Sequence, residues 1–576
     1  MNPWLCNLLF NNSGGSSLPV IGQTFYASLK TSLVPEVGTG APTWSRATAA
    51  WRFNDQGYLR QIPSECAEFG GARLVQNNIN TKSEDFTNAA WTKSSMTVAS
   101  IADTPPIGVS AAFSSIPLAA TAQHYIANTG SVYPIGSTVV FGVYAKSFGY
   151  SFIRVYGPFA NCYFNVSSGI VGTSAGANFV SASITNAGNG WYLCNVKAVV
   201  TSATAPSFEL HTSPTETASY LADGISGCKF AGFSYTNVTG YDASYVPEYV
   251  SVGVLSPPYH GAGADGCKYF ATDWQGAPIP VANLTRLRKD TAGTNALLWS
   301  RDLSNAAWST KTNITAAKTA TGLDGIANSA STLTATSADA IILQPTSGIA
   351  SAARCSSAYV RRKTGTGTIS FTQDGGSTWT DITPNINSAT YSRVQITATL
   401  ANPSVGFKIS TSGDVIAVDC VQNEAGAVAT SPIVTTTTTV NRSADSLTDQ
   451  TSSNWSDTAG TAYILAKPVV YSGGAVGSAT NGLLLSASNS GATAYDGTNS
   501  ANGPTGTPGA VEKLALAWGS STMSVASSGL VGTPGTYDGA MGLSSIGVGV
   551  GAVGYFGDVA IYNYKMTDAE LQAITT

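Results

Sequence analysis

The chain has 576 residues, of which only 10% are charged and 10% aromatic, with 60 glycines and a net charge of −4. That length exceeds what one hydrophobic core can organise and implies three or more domains, while the aromatic content is enough to offset the ordering entropy that keeps polar chains disordered. The negative net charge and the lack of any long Lys/Arg run argue against a nucleic-acid partner, and the lack of any run of 18 apolar residues argues against insertion in a membrane as a helix.

In chain order, residues 1–20 come first as a candidate anchor. Trp4, Leu5, Leu8, Leu9 and Phe10 precede a polar spacer at 11–17, and so many large apolar groups in so short a segment cannot form a core of their own. Exposed, they would promote aggregation, so they must dock on another surface or tuck into the chain's own first sandwich. The segment has no basic flank or small-residue cleavage site and reads poorly as a secretory signal. Residues 21–75 read as a β segment leading into a first module, with Asp55-Gln-Gly57 as a turn between two strands.

The first module spans 76–247 and carries period-2 runs at Thr138-Val-Val-Phe-Gly-Val-Tyr-Ala145 and Phe152-Ile-Arg-Val-Tyr156. A connector follows at 248–292. In it, Val250-Ser-Val-Gly-Val-Leu255 is expected to form a strand, and Arg286-Leu-Arg-Lys289 an exposed edge strand, since alternating charges suit a solvated face. The second module spans 293–439, with runs at Thr368-Ile-Ser-Phe-Thr372 and Arg393-Val-Gln-Ile-Thr-Ala-Thr399, and ends in the low-complexity threonines 435–439. Residues 440–576 are Gly-rich with short strands and one helix, signalled by a capping box of Thr567 and Glu570. The pattern defines an all-β chain of several tandem antiparallel β-sandwich (jelly-roll) domains.

One module has been used twice. Ser83-Glu-Asp-Phe-Thr-Asn-Ala-Ala-Trp-Thr-Lys93 returns as Ser300-Arg-Asp-Leu-Ser-Asn-Ala-Ala-Trp-Ser-Thr310. The equal spacing from Asp85 to Trp91 and from Asp302 to Trp308 places each pair at equivalent positions of two alike sandwiches. The repeat holds no nucleophile, histidine or metal-ligand pair, so a scaffold was duplicated rather than a catalytic centre. Trp91, Trp191, Trp308 and Trp518 are expected in the core, where a sandwich tryptophan usually packs.

The eight cysteines show no C-x-x-C pair and are too sparse for a disulfide framework, so most read as buried thiols. The three histidines, His124, His211 and His260, are far apart in sequence with no H-x-x-x-H spacing, so neither a metal site nor a Ser–His dyad is read from them. Gly172-Thr-Ser-Ala-Gly176 matches a nucleophile-elbow pattern that Gly- and Ser-rich composition produces by chance. No cofactor, metal or catalytic residue is assigned. Aromatic rings beside small polar side chains suit sugars, because a ring stacks on pyranose C–H groups while Asn, Asp and Ser satisfy hydroxyls. Trp379, Trp455, Tyr495 and Asp496 sit in that setting and are the candidate glycan-binding residues.

Several motifs in a fixed order carry a family resemblance. They are Pro42-Thr-Trp-Ser-Arg-Ala-Thr48, Asn54-Asp-Gln-Gly-Tyr-Leu59, Gly71-Ala-Arg73, Asn189-Gly-Trp-Tyr-Leu-Cys194, Tyr241-Asp-Ala-Ser-Tyr-Val-Pro247, Gln422-Asn-Glu-Ala-Gly426, Val440-Asn-Arg-Ser-Ala-Asp445 and Gly554-Tyr-Phe-Gly-Asp-Val-Ala-Ile-Tyr562. Together they resemble bacteriophage virion fibre and spike proteins with tandem carbohydrate-binding-type jelly rolls and a concanavalin/laminin-G-like C-terminal domain over 440–576. The second module lacks the Gly-Trp before Tyr391-Ser-Arg393. The resemblance implies a non-enzymatic tail fibre or spike, located in the virion and made in the bacterial cytoplasm. It would attach through the N-terminal region to other virion proteins, of the tail or the head–tail connector, assemble as a homotrimer and present its modules to a host surface glycan. The alternatives are a glycan-degrading tailspike enzyme, marked by two carboxylates converging in a groove, or a purely architectural head-fibre decoration protein.

Overall fold

Antiparallel strands make up almost all the regular structure of the computed structural model, which describes residues 18–19, 21–254, 259–450, 453–486 and 491–576. The anchor residues Trp4, Leu5, Leu8, Leu9 and Phe10 lie outside the described residues. Two compact units emerge, one of Arg73–Pro278 and one that joins the chain up to Ala72 with Ile279–Thr576. The fold is all-β and built of sandwiches.

In the unit Arg73–Pro278, two six-stranded sheets face each other. One runs Ile170–Ala175, Asn161–Asn165, Phe152–Tyr156, Ser207–Ser213, Tyr125–Thr129, Thr92–Ser94; the other runs Phe179–Gly188, Trp191–Val199, Thr138–Phe148, Gly227–Asn237, Ala112–Pro117, Met96–Ile101. Alternate residues of each strand enter a core rich in rings, among them Phe86, Trp91, Phe141, Phe208, Phe233 and Tyr235. The second module repeats this order with five strands per sheet. Its sheets are Thr310–Thr312, Ala340–Pro345, Ser404–Ile409, Ile369–Thr372, Thr380–Asp381, and Ile314–Ala320, Ala330–Ala335, Val415–Ala425, Ala352–Thr364, Ser392–Leu400. What it lacks is a counterpart of the two edge strands Ile170–Ala175 and Phe179–Gly188, one at the edge of each sheet.

The duplication extends to single hydrogen bonds. Trp91 and Trp308 are fully buried, and their indole N–H groups donate to the carbonyls of Lys82 and Trp299. Asp85 and Asp302 each accept the N–H two residues on, from Thr87 and Ser304. Asn77 donates to the carbonyls of Phe233 and Val250 and accepts from the N–H groups of Tyr235 and Ile79. Asn295 does the same with Val421, Ile433, Asn423 and Leu297. The two asparagines knot the entry of each module to its closing strand, and the sequence reading missed them.

The segment 21–75 does not simply lead into the first module. Gln23–Ala27 pairs with the last strand, Gly554–Tyr562; Glu68–Gly70 pairs with Arg286–Lys289; and Thr43–Ser45 pairs with Ser446–Gln450. The terminal sandwich is therefore a nine-stranded and a seven-stranded sheet drawn from three stretches of chain. The capping box appears as expected, with the Glu570 N–H donating to Thr567 Oγ1 and the Thr567 N–H to the Glu570 carboxylate, and it opens a helix at Asp568–Thr575.

Two expectations for the connector fail. Residues 250–254 form bends, not a strand, because their backbone is tied to Ser83 and Asn77. Arg286–Lys289 is a strand but not an exposed edge, lying buried between Gly554–Tyr562 and Glu68–Gly70. Its two arginines are matched inside the protein, Arg286 by Asp558 at 2.7 Å. Arg288 pairs with Asp290 at 2.6 Å, Arg442 with Asp290 at 3.2 Å and Asp445 at 2.8 Å, Arg52 with Asp290 at 3.0 Å, Asp445 at 3.3 Å and Glu68, and Arg46 with Asp445 at 3.3 Å. Burial raises the Asp290 pKa, but Arg288, Arg442 and Arg52 outweigh it and hold the carboxyl far below the usual range. Lys289 stays outside this pairing. Its ammonium lies 5.1 Å from the centre of the Trp44 ring, and burial pulls its pKa down to about 7. The motif residues Arg46, Arg442 and Asp445 thus serve the interior.

The seven described cysteines are buried thiols, and burial pushes Cys162 and Cys355 up to about 12.

Candidate functional site

Three of the four candidate residues meet at the loops of the terminal sandwich. Trp518, on the strand Glu512–Gly519, is fully buried, and Trp455 stacks on it with ring centres 4.2 Å apart and planes 16° from parallel. The close approach depends on Gly460 in the neighbouring strand, where a Cβ would fall 2.3 Å from the Trp518 ring. Trp518 Nε1 donates to the Ser456 carbonyl at 2.9 Å and fixes the loop that carries Trp455. Trp455 itself is half-buried. This is an indole held flat by a second, immobile indole.

Residues 537–541 join that loop to the one holding Tyr495 and Asp496. The Tyr537 hydroxyl donates to the Asp457 carbonyl, the Met541 N–H to Asp457 Oδ1 at 3.1 Å, and the Asp538 N–H to Asp496 Oδ2 at 3.1 Å. Asp496 also accepts from the N–H groups of Thr498 at 2.8 Å and Asn499 at 2.5 Å and from Asn499 Nδ2 at 3.2 Å. Burial pushes its carboxyl up, but these donors hold it below the ordinary carboxylate range. Asp496 therefore builds the loop and has little capacity left for a ligand. Tyr495 is half-buried, with its hydroxyl donating to the Gly497 carbonyl at 2.8 Å. What the sequence missed here is the pairing of Trp455 with a core tryptophan, since no spacing connects positions so far apart in the chain.

Trp379 lies elsewhere, in the second module, on the turn between Ile369–Thr372 and Thr380–Asp381. Asp374 shapes that turn by accepting from Thr372 Oγ1 at 2.7 Å and the Thr378 N–H at 2.9 Å. The half-buried indole has Lys408 Nζ 5.4 Å from its centre, a cation–π geometry.

Two cavities complete the picture. One of about 350 Å³ lies on the outer face of a first-module sheet, among Ser181, Ser183, Asn195, Lys197 and Ser244. A larger groove of about 990 Å³ lies at one end of the second module, with Leu298, Pro345, Ile349, Arg354 and Asn441 in its walls. Neither is lined by an Asp or Glu among the described residues.

No protein-family model matches the sequence, and no curated protein does. Among solved structures, the chain is similar to the N-terminal CBM22-1–CBM22-2 tandem domain of Xyn10C from Paenibacillus barcinonensis, at 11% identity and a TM-score of 0.20, over 63% of this chain and 100% of that one. At that score the likeness assigns no residue a role.

Proposed function

We propose that this chain is a phage fibre or spike protein that presents β-sandwich modules to a host surface glycan, with no catalytic step of its own. The observation that carries the adhesive part is the Trp455–Trp518 stack, a half-buried flat apolar face set among polar loops. Burying one pyranose face against such a ring is favourable, and the surrounding polar groups can exchange water for sugar hydroxyls. Trp379 would give the second module a weaker, separate contact. Several modest sites on one oligomeric particle gain affinity through effective concentration, which suits attachment to a repetitive polymer.

The virion part of the proposal rests on the ordered motifs. The anchor would be Trp4, Leu5, Leu8, Leu9 and Phe10, docking on a neighbouring virion protein or on sister chains of a trimer.

Two experiments test this. Binding of the purified chain to host-surface polysaccharide should fall at least about tenfold in Trp455→Ala, as expected for a lost stacking ring, with the melting temperature retained. Unchanged binding would remove the stack from the adhesive site. Deleting residues 2–17 should leave a folded chain that fails to join particles, read by antibody labelling of virions. Normal occupancy would overturn the anchor.

A further inference from the structure

The duplicated modules differ at one end of the sandwich, and the difference has a chemical direction. In the first module that end is closed by rings. Tyr235 lies 4.6 Å from Phe208 and 5.0 Å from Tyr133, centre to centre, and Phe141 lies 5.0 Å from Phe208. The shared hydrogen bonds fix the equivalent positions in the second module. Tyr235 and Asn423 both donate their N–H to the knot asparagine, so Asn423 stands where the first module has Tyr235. Their strand partners are Phe141 and Ser356, and two residues earlier on those strands stand Val139 and Arg354. Asn128 and Gln344 donate to the carbonyls of Thr81 and Leu298, each one residue before the carbonyl that receives the tryptophan N–H. Five residues after them come Tyr133 and Ile349.

Tyr235 to Asn423, Phe141 to Ser356 and Tyr133 to Ile349 each remove a ring, and Val139 to Arg354 brings in a cation. Three of these positions, Arg354, Ile349 and Gln344, line the groove of about 990 Å³, together with Pro345, Leu298, Asn441 and Ser347 among others. Arg354 is held from behind by a chain of hydrogen bonds: its Nε donates to Asn423 Oδ1 at 2.7 Å, Asn423 Nδ2 to Ser356 Oγ at 2.7 Å, and Ser356 Oγ to Gln373 Oε1 at 2.9 Å. Its two terminal nitrogens have no hydrogen-bond partner and no ion pair among the described residues, although the residue is only 7% exposed. Glu424, the acid whose field reaches it, is turned to Thr430, which donates through Oγ1 at 2.8 Å and N–H at 2.9 Å. Its guanidinium end therefore faces the groove with its donors free to take an anionic partner.

We propose that this groove binds a sugar residue bearing a carboxylate, a uronic or sialic acid unit, with Arg354 as the carboxylate fork. The planar guanidinium offers two parallel donors matched to a carboxylate. Ser347 and Asn441 supply hydrogen bonding for hydroxyls, and Pro345, Leu298 and Ile349 supply an apolar wall. The assignment deepens the adhesive reading and rests on it, but at a site independent of Trp455.

Calorimetric titration of the full chain with glucuronate, galacturonate and N-acetylneuraminate, beside their methyl esters and beside acetate and phosphate, tests it. At least one sugar acid should bind, its ester should not, and Arg354→Gln should weaken binding at least about tenfold, as for a charge-assisted pair. Ile349→Tyr, which restores the ring of the first module, should block the groove, and circular dichroism reports whether either variant folds. The proposal is overturned if no sugar acid binds, if acid and ester bind alike, if the simple anions compete as well as the sugars, or if Arg354→Gln binds normally. Neutral glycan binding that is lost in Trp455→Ala and kept in Arg354→Gln would leave the adhesive reading standing whatever happens here.

Discussion

The second jelly roll and the terminal sandwich are held together in different ways. The module is one continuous stretch of chain whose core residues, from Leu297 to Val421, are apolar and sequentially ordered. The sandwich is gathered from stretches before the first module, between the modules and after the second, and at their junction lie four guanidiniums and three carboxylates. A hydrophobic face accepts any apolar neighbour of suitable size, whereas a buried ion accepts only its counter-charge at the right place. Where chain continuity does not specify which strands meet, charge does. Buried ion pairs are poor sources of net stability but severe penalties when broken, so the two regions should respond differently to substitution.

The largest effect is expected at Asp290, which faces Arg52, Arg288 and Arg442. Asp290→Ala leaves three buried cations short of a partner and should cost at least about 3–5 kcal/mol in urea unfolding, while Arg442→Met, which leaves Asp290 and Asp445 each with other arginines, should cost less. If Asp290→Ala is mild, the ions do not hold the junction. Trp91→Ala and Trp308→Ala should each cost about 3–5 kcal/mol by opening a cavity, and the two values should agree, since the rings occupy equivalent settings. Asn77→Ala and Asn295→Ala, which each strand four backbone groups, should cost on the order of 3 kcal/mol; markedly unequal losses would break the equivalence of the modules.

The smallest effect is a slope with pH. The folded protein releases the Lys289 proton near pH 7, whereas the unfolded chain keeps it up to the ordinary lysine range. Unfolding therefore takes up a proton in that window, and stability rises with pH there by up to about 1.4 kcal/mol per unit, the burial penalty standing in full below it. Lys289→Met should be more stable than the parent at about pH 6.5 and lose that advantage towards about pH 9. A constant difference across that range would mean that Lys289 does not titrate there.

Legibility followed the same division. Phe152–Tyr156 matches the expected strand residue for residue, because a period-2 pattern is local. The repeat was readable for the reason that Asp85, Trp91 and their copies sit in one short turn. Arg286–Lys289 was misread because alternating charges look solvated when the strands that cover it, Glu68–Gly70 and Gly554–Tyr562 with Asp558, lie far away in sequence. At the candidate site, Trp455 and Tyr495 could be noticed as rings among polar residues, but the support from Trp518, and Arg354 as a cation without a partner, exist only after folding.

The pairing of Gln23–Ala27 with Gly554–Tyr562 sets a schedule for the nascent chain. Tyr26 meets Asp558 across 532 residues, and a ribosome adding roughly 5–20 residues per second needs about half a minute to two minutes to cover that distance. For that whole interval the early strand lacks its distant partner and has only its local pairing of Tyr26 with Val37, while the continuous modules behind it can already close. A strand edge left open for that duration invites capture by a neighbouring chain. At five residues the strand is short, which limits the edge it offers until its partner is made.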